Sequence, residues 1–219
     1  LPCVSIEIRC TISAWNDGNP IKTTGELLIQ NSLLVSQCGF FHGMPYWNND
    51  DDCRANGDAL VFALNPGDEA KVTNTTITGE GNCLVIAECA LDKSCSGAER
   101  VLMRNVLFQG QEIFFSPGEE TCFAWYDDES ALPLPQNPFD IGYSLISGVR
   151  FGNVDPCGDG HNLCGVNPGL LDSSIDNFDA RLKPGSPAID AGTVEGAPID
   201  DIDGYARDDR PDIGAYESR

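Results

Sequence analysis

The feature that most restricts how this chain can fold is a recurring pair of short strand-like pieces joined across one polar residue. Four segments share it: Leu28-Ile29-Gln30-Asn31-Ser32-Leu33-Leu34-Val35, Lys71-Val72-Thr73-Asn74-Thr75-Thr76-Ile77-Thr78, Leu102-Met103-Arg104-Asn105-Val106-Leu107-Phe108-Gln109 and Ile141-Gly142-Tyr143-Ser144-Leu145-Ile146-Ser147-Gly148. Aligned on Asn31, Asn74, Asn105 and Ser144, they recur within the roughly 20–50-residue period of solenoid repeats, with insertions of variable length between them. A tight corner between two strands needs a residue that tolerates left-handed backbone geometry. Asn does, and its amide can bond the Asn of the next turn. The pattern predicts an all-β protein, a parallel β-helix with irregular loop insertions. A Greek-key sandwich is the alternative that strand alternation leaves open.

The opening of the chain fits that class. Val4, Ile6, Ile8, Cys10 and Ile12 alternate with Ser5, Glu7, Arg9 and Thr11, which predicts one strand with one face in a core. The 23 glycines and 14 prolines punctuate β-branched segments, and no stretch reads as an amphipathic helix. At 219 residues one sizeable core is possible, and no run reaches the roughly 18 apolar residues of a membrane-spanning helix. Starting at Leu1, with neither Met nor an apolar leader, the chain reads as a mature product or an excised fragment.

Cysteine usage points to the compartment. Cys3, Cys10, Cys38, Cys53, Cys83, Cys89, Cys95, Cys122, Cys157 and Cys164 make an even ten. No CxxC pair occurs, and the histidines are two, His42 and His161, so zinc spacing is missing and disulfides are expected. Disulfides imply an oxidising, extracellular location. Neighbouring pairs such as Cys157 with Cys164 or Cys38 with Cys53 are candidates, but connectivity is not legible from spacing. The net charge of −21 excludes a nucleic-acid binder and disfavours anionic membranes. It suits a solvated acidic surface, or a hard cation such as calcium.

The last third carries a longer signature. Ala180-Arg181-Leu182-Lys183-Pro184-Gly185-Ser186-Pro187-Ala188-Ile189-Asp190-Ala191-Gly192 follows Asn167-Pro168-Gly169-Leu170-Leu171-Asp172. After it come Asp201-Ile202-Asp203-Gly204, Arg207 and Arg210-Pro211-Asp212-Ile213-Gly214-Ala215-Tyr216-Glu217. This closely resembles the choice-of-anchor Q domain, which ends many bacterial right-handed parallel β-helix surface proteins. The resemblance runs from about Tyr143 to Glu217. It divides the chain into 1–142, β-helix coils with acidic and aromatic insertions, and 143–219, a final coil and capping region. It implies an exported protein with a right-handed helix, and carries no catalytic residues. Cell-surface sorting signals usually follow such a domain, whereas this sequence stops at Ser218-Arg219. The prolines Pro184, Pro187 and Pro211 suit a chain leaving regular strands to cover the end of a solenoid. Arg207 or Arg210 can satisfy several of the surrounding carboxylates with its planar fork. Calcium on Asp201 and Asp203, whose D-x-D-G spacing is that of an EF-hand loop, competes with that ion-pair reading; the bidentate Glu of such a loop is missing.

Chemistry is harder to find. Acidic neighbours such as Asp127 with Asp128, or Asp50 to Asp52, are too common to specify a hydrolase. The lysines Lys22, Lys71, Lys93 and Lys183 lie outside any carboxylate run that a lyase base would need. Gly158-Asp159-Gly160-His161-Asn162 is better explained as a surface loop closed by Cys157 and Cys164 than as a catalytic histidine loop. The sequon Asn74-Thr75-Thr76 falls on a corner residue. Tyr46, Trp47, Trp125 and Tyr126 are candidate stacking platforms for a glycan. Val4, Ile6 and Ile8 form an edge strand with no amphipathic helix ahead of it, and bare edges template pairing with another chain. The expectation is a secreted or cell-surface structural or adhesive module, stacking head-to-tail on itself into filaments, with no membrane insertion. A carbohydrate-active enzyme or a carbohydrate-binding module is the alternative.

Overall fold

A computed structural model describes residues 6–16, 20–37, 58–81, 83–90, 95–111, 122–125, 134, 136–151, 155–159 and 161–219, with the backbone alone at 15, 16, 123–125, 151 and 159. Short strands dominate them. β1 (Ile6–Arg9), β2 (Ile12–Asn16) and β3 (Ile21–Thr24) precede β4 (Leu27–Gln30), β5 (Leu33–Ser36) and β6 (Leu60–Leu64). Then come β7 (Glu69–Thr73), β8 (Thr76–Gly79), β9 (Cys83–Cys89), β10 (Arg100–Arg104), β11 (Leu107–Gly110) and β12 (Cys122–Trp125). β13 (Phe139–Gly142), β14 (Leu145–Ser147) and β15 (Arg150–Phe151) lead through a 3-10 turn at Pro156–Asp159 to β16 (Leu163–Cys164). A hairpin of β17 (Leu170–Asp172) and β18 (Asp179–Leu182) opens the C-terminal segment.

Pairing follows a period of three strands. Sheet I has the order β1-β4-β7-β10-β13, sheet II β16-β14-β11-β8-β5-β2 and sheet III β15-β12-β9-β6-β3, and every pair within them is parallel. The chain is thus mostly β, built from stacked parallel sheets. Register aligns like with like: Leu27, Ala70 and Val101 fall in one column of sheet I, and Ile29, Val72 and Met103 in another. These columns, with Leu34, Ile77 and Phe108 of sheet II and Phe62, Val85 and Ala87 of sheet III, form one buried cluster. Alternation puts every second side chain of all three sheets into that shared core.

The junction between sheets I and II carries the corner residues. Cys10, Asn31, Asn74, Asn105 and Tyr143 have φ of 46°, 46°, 44°, 56° and 53°. Three are the expected asparagines. In the fourth segment the left-handed residue is Tyr143, one position before Ser144, and Ser144 stands where Ser32 and Thr75 do: its hydroxyl bonds the carbonyl two residues back, as theirs do. The polar residue conserving the alignment was therefore the one after the corner, which shifted the register of that repeat. A fifth corner at Cys10 also divides the opening. Residues 6–12 do not form one strand, because the left-handed turn at Cys10 resets the alternation. Ile12 consequently falls in the outward column of Leu33, opposite to the side taken by Ile6 and Ile8.

The C-terminal segment does not sit over the end of the stack. It lies along the side. Leu170, Phe178, Ala180, Ala188 and Ile213 pack on Leu33, Val35, Leu107 and Leu145, the outward residues of sheet II. Its backbone then runs beside the corner asparagines. Asn105 donates to the Thr193 carbonyl at 2.7 Å and accepts from the Thr193 N–H at 2.7 Å. Asn74 donates to the Asp212 carbonyl at 3.2 Å, and Asn31 donates to the Asp200 carbonyl. One rung of the expected asparagine ladder is present, Asn105 Nδ2 to Asn74 Oδ1 at 3.2 Å. The approach is close enough to demand glycine. A Cβ on Gly192 would meet the Pro211 carbonyl oxygen at 2.6 Å, and one on Gly214, whose φ is 112°, would meet Thr76 Oγ1 at 2.9 Å. The 142/143 division passes between β13 and β14, which continue sheets shared with the upstream strands.

Candidate functional site

The two ends of the stack differ. At the far end, the residues after β15 fold back over the last strands. Asn162 donates to the carbonyls of Ile141 (2.8 Å) and Pro156 (2.7 Å) and accepts from the Ser144 N–H (3.0 Å), taking up edge groups of β13 and of the corner after it. Cys157 bonds Cys164, His161 lies against Tyr143 with ring centroids 4.9 Å apart, and β16 pairs with β14. The loop is surface structure, with its histidine exposed.

At the near end the core layer is incomplete. Ile6 is 42% exposed and Ile12 57%, whereas their neighbours in register, Leu27 and Leu33, are 3% and 6% exposed. Among the described residues no strand pairs with the outer edges of β1, β2 and β3. Two grooves run to this end: one of about 450 Å³ floored by Ile6, Leu27 and Leu28 with Glu7, Glu69 and Lys71, and one of about 460 Å³ between Ile12, Leu33 and Val35 and the C-terminal Phe178, Arg181 and Tyr216. Unpaired backbone and exposed aliphatic side chains together make this the strongest docking surface of the described residues.

The C-terminal polar residues, by contrast, are spent on each other. The Arg207 side chain, 2% exposed, pairs with Glu217 at 2.8 Å and donates to Asn31 Oδ1 and the carbonyls of Gly214 and Ala215. Burial lowers the Arg207 pKa and raises that of Glu217, so for both partners desolvation outweighs the attraction between them. Asp201 is buried: Oδ1 accepts the N–H groups of Asp203 and Tyr205 and Oδ2 that of Glu217. Asp212 does the same for Asp190 and Ser218. A cation on Asp201 would have to displace those donors, and the Asp203 carboxylate is on an exposed residue that meets Asp201 through its N–H. Among the described residues no group of three or more His, Cys, Asp or Glu side chains is arranged to hold a metal. Ser186 donates its hydroxyl to the Pro168 carbonyl at 2.5 Å, tying the Pro-Gly-Ser-Pro turn to the loop before β17, and Arg210, not Arg207, reaches the exposed Asp190.

Other predicted residues fare unevenly. Val4, Tyr46, Trp47, Tyr126, Cys3, Cys38 and Cys53 lie outside the described residues. Trp125 belongs to β12, in register with the buried Ala87, and its side chain is outside them too. Disulfides join Cys83 to Cys122 across neighbouring strands of sheet III, and Cys89 to Cys95. Cys10, expected in a disulfide, carries an exposed free thiol, because the corner it forms turns its residue out of the core. Asn74 is fully buried, so its sequon is closed to glycosylation.

Two buried carboxylates escaped the sequence reading. Asp58, ahead of β6, accepts from the Cys83 N–H at 3.0 Å, and burial pushes its pKa up to about 7 despite that bond. Glu99, ahead of β10, is also desolvated, but donors from Ser96, Gly97 and Gly67 at 2.7–3.0 Å more than offset this and hold it at about 2. A Ser-Gly-x-Glu string was the available signal for the second. For Asp58 nothing local marked burial. No helix among the described residues is long and apolar enough to cross a membrane. Comparison with protein-family models, with curated proteins and with solved structures returns no match for this chain.

Proposed function

We propose that the chain is an extracellular structural or adhesive module: a right-handed parallel β-helix of the choice-of-anchor Q kind, clamped along one side by its C-terminal segment and associating through its open end. The observation that carries the reading is where the polar side chains of the signature go. Ser186, Asp190, Asp201, Arg207, Arg210, Asp212 and Glu217 bond to backbone or to one another and hold a segment in place. A catalytic constellation instead leaves groups convergent on a cleft. The three-strand period around one core supports the helix. Three disulfides among the described residues support an oxidising location.

A screen of acidic and neutral polysaccharides for new reducing ends and unsaturated uronate absorbance tests the reading. No turnover is expected, and turnover on any of them sinks it. A crystal structure showing a sandwich of antiparallel sheets would sink the helix itself.

A further inference from the structure

We infer that the open end is a self-complementary surface, and that two copies of this chain join through it about a two-fold axis, β1 pairing antiparallel with β1 of the second copy. The inference rests on the open end being the assembly surface, and it replaces an open-ended stack with a closed dimer.

The hydrogen-bonding pattern of β1 sets the register. Ile6 and Cys10 turn their N–H groups toward β4, bonding the carbonyls of Glu26 at 3.0 Å and Gln30 at 3.2 Å. Successive residues of a strand point their backbone groups to opposite edges. The N–H and C=O of Glu7 and Arg9 therefore face the open edge. The Arg9 carbonyl holds the Thr11 hydroxyl at 2.9 Å with one lone pair, leaving the other. In an antiparallel pair centred on Ile8, Glu7 lies opposite the second copy's Arg9, and Arg9 opposite its Glu7. Each such pair exchanges two backbone hydrogen bonds, four in all, in the closely spaced arrangement of an antiparallel ladder.

Side chains agree with that register. Glu7 and Arg9 sit on the same outward face and already pair within the chain, each about half exposed. Across the two-fold axis their charges alternate, Glu against Arg twice, which is a favourable cross-strand arrangement. Charge elsewhere in this chain opposes self-association, at −21 overall. Along the seam itself it does not, because Glu7 and Arg9 cancel. The joint would bury Ile6, an incompletely covered aliphatic residue of this strand. Head-to-tail stacking would compete with a side chain for part of the far edge. At the other end Asn162 occupies the Ile141 carbonyl and the Ser144 N–H.

Sedimentation or light scattering across a wide concentration range, with electron microscopy of the same samples, tests this. The expected species is a closed dimer of twice the chain mass. Arg9→Glu places a carboxylate opposite Glu7 of the second copy and is expected to weaken the dimer about tenfold or more. The double swap Glu7→Arg with Arg9→Glu restores opposite charges in this register alone, and is expected to recover wild-type association to within about threefold. Circular dichroism and thermal unfolding establish that each variant is folded before it is weighed. A monomer at all concentrations, filaments that lengthen with concentration, or a double swap as weak as Arg9→Glu overturns the inference. A monomer that turns over no polysaccharide overturns the dimer and association through this end while leaving the non-catalytic module standing, and turnover by a dimer does the reverse.

Discussion

The outward faces of sheets I and II are built from the same repeats in the same register, yet one meets solvent and the other is sealed. On sheet I the outward columns hold Glu7, Leu28, Lys71, Leu102 and Asp140, beside Arg9, Gln30, Thr73 and Arg104. Their ion pairs, Lys71 with Glu69 and Arg104 with Asp140, are surface pairs at 2.8 Å. On sheet II the outward column is Ile12, Leu33, Thr76, Leu107 and Leu145, and the C-terminal segment lies over all but its first member. Strands with polar outward positions can face water, while strands apolar on both faces must be covered. The C-terminal segment therefore belongs to the fold of the earlier repeats, and the stack is lopsided by design of its side chains.

The largest way to break this difference is a charge on the sealed face. Leu107→Asp buries an unpaired carboxylate and is expected to cost about 4 kcal/mol or more, enough to detach the C-terminal segment or unfold the chain. Leu102→Asp, at the matching half-exposed position of sheet I, is expected to cost about 1 kcal/mol or less. Equal losses by denaturant titration would refute the asymmetry. Next in size is Arg207→Ala, which strands Glu217 without its cation and is expected to cost about 3–5 kcal/mol, against about 0–1 for Arg104→Ala on the open face.

Acid sensitivity sharpens the contrast further. The Glu99 pKa is depressed, so the stability it contributes is present above pH 4.5 and disappears as pH falls toward 2. The pKa values of Glu217 and Asp58 are raised, so their contribution runs the other way, complete at low pH and lost as pH rises, for Asp58 through about 7. Glu99→Gln is expected to cost about 1–3 kcal/mol at pH 7 by orphaning a buried donor, and almost nothing near pH 2. Asp58→Asn is expected to stabilise the fold on the order of 2 kcal/mol at pH 8 and to be close to neutral at pH 4. Thermal melts across that range check both. In acid, hydrogen exchange should open the turns at 65–68 and 95–99 before the sealed face. The smallest effect expected is that of calcium: because three N–H groups fill the Asp201 oxygens, adding it or chelating it should move Tm by less than about 1 °C. A larger rise on addition would restore the cation reading of Asp201 and Asp203.

Much of the fold was legible. Asparagine corners and strand alternation carried the parallel repeats, because left-handed geometry and two-residue periodicity are local properties that each residue declares for itself. The misplaced corner at Tyr143 shows the limit: when a bulky residue takes the left-handed position, composition no longer marks it. Leu33-Leu34-Val35 and Val106-Leu107-Phe108 are apolar on both faces, a signal that the alternation reading passed over, and nothing local says what covers them. Of the candidate site, the edge residues Ile6 and Ile8 were visible as alternation, whereas Ile12 was assigned to the wrong face because one turn at Cys10 inverted it.

By itself the amino-acid sequence determined the all-β class, the spacing of the three asparagine corners, the disulfide chemistry and the acidic charge, since each follows from residue type and near neighbours. Tertiary structure alone decided that the C-terminal segment lies along the side of the stack instead of over its end, and that Asp201, Arg207 and Glu217 close on one another. It also decided that no other described strand pairs with the outer edges of β1, β2 and β3. Those outcomes depend on which groups far apart in the chain take up buried hydrogen bonds, such as Arg207 with Asn31 and the Ala215 N–H with the Thr76 hydroxyl. No local pattern records which of them wins.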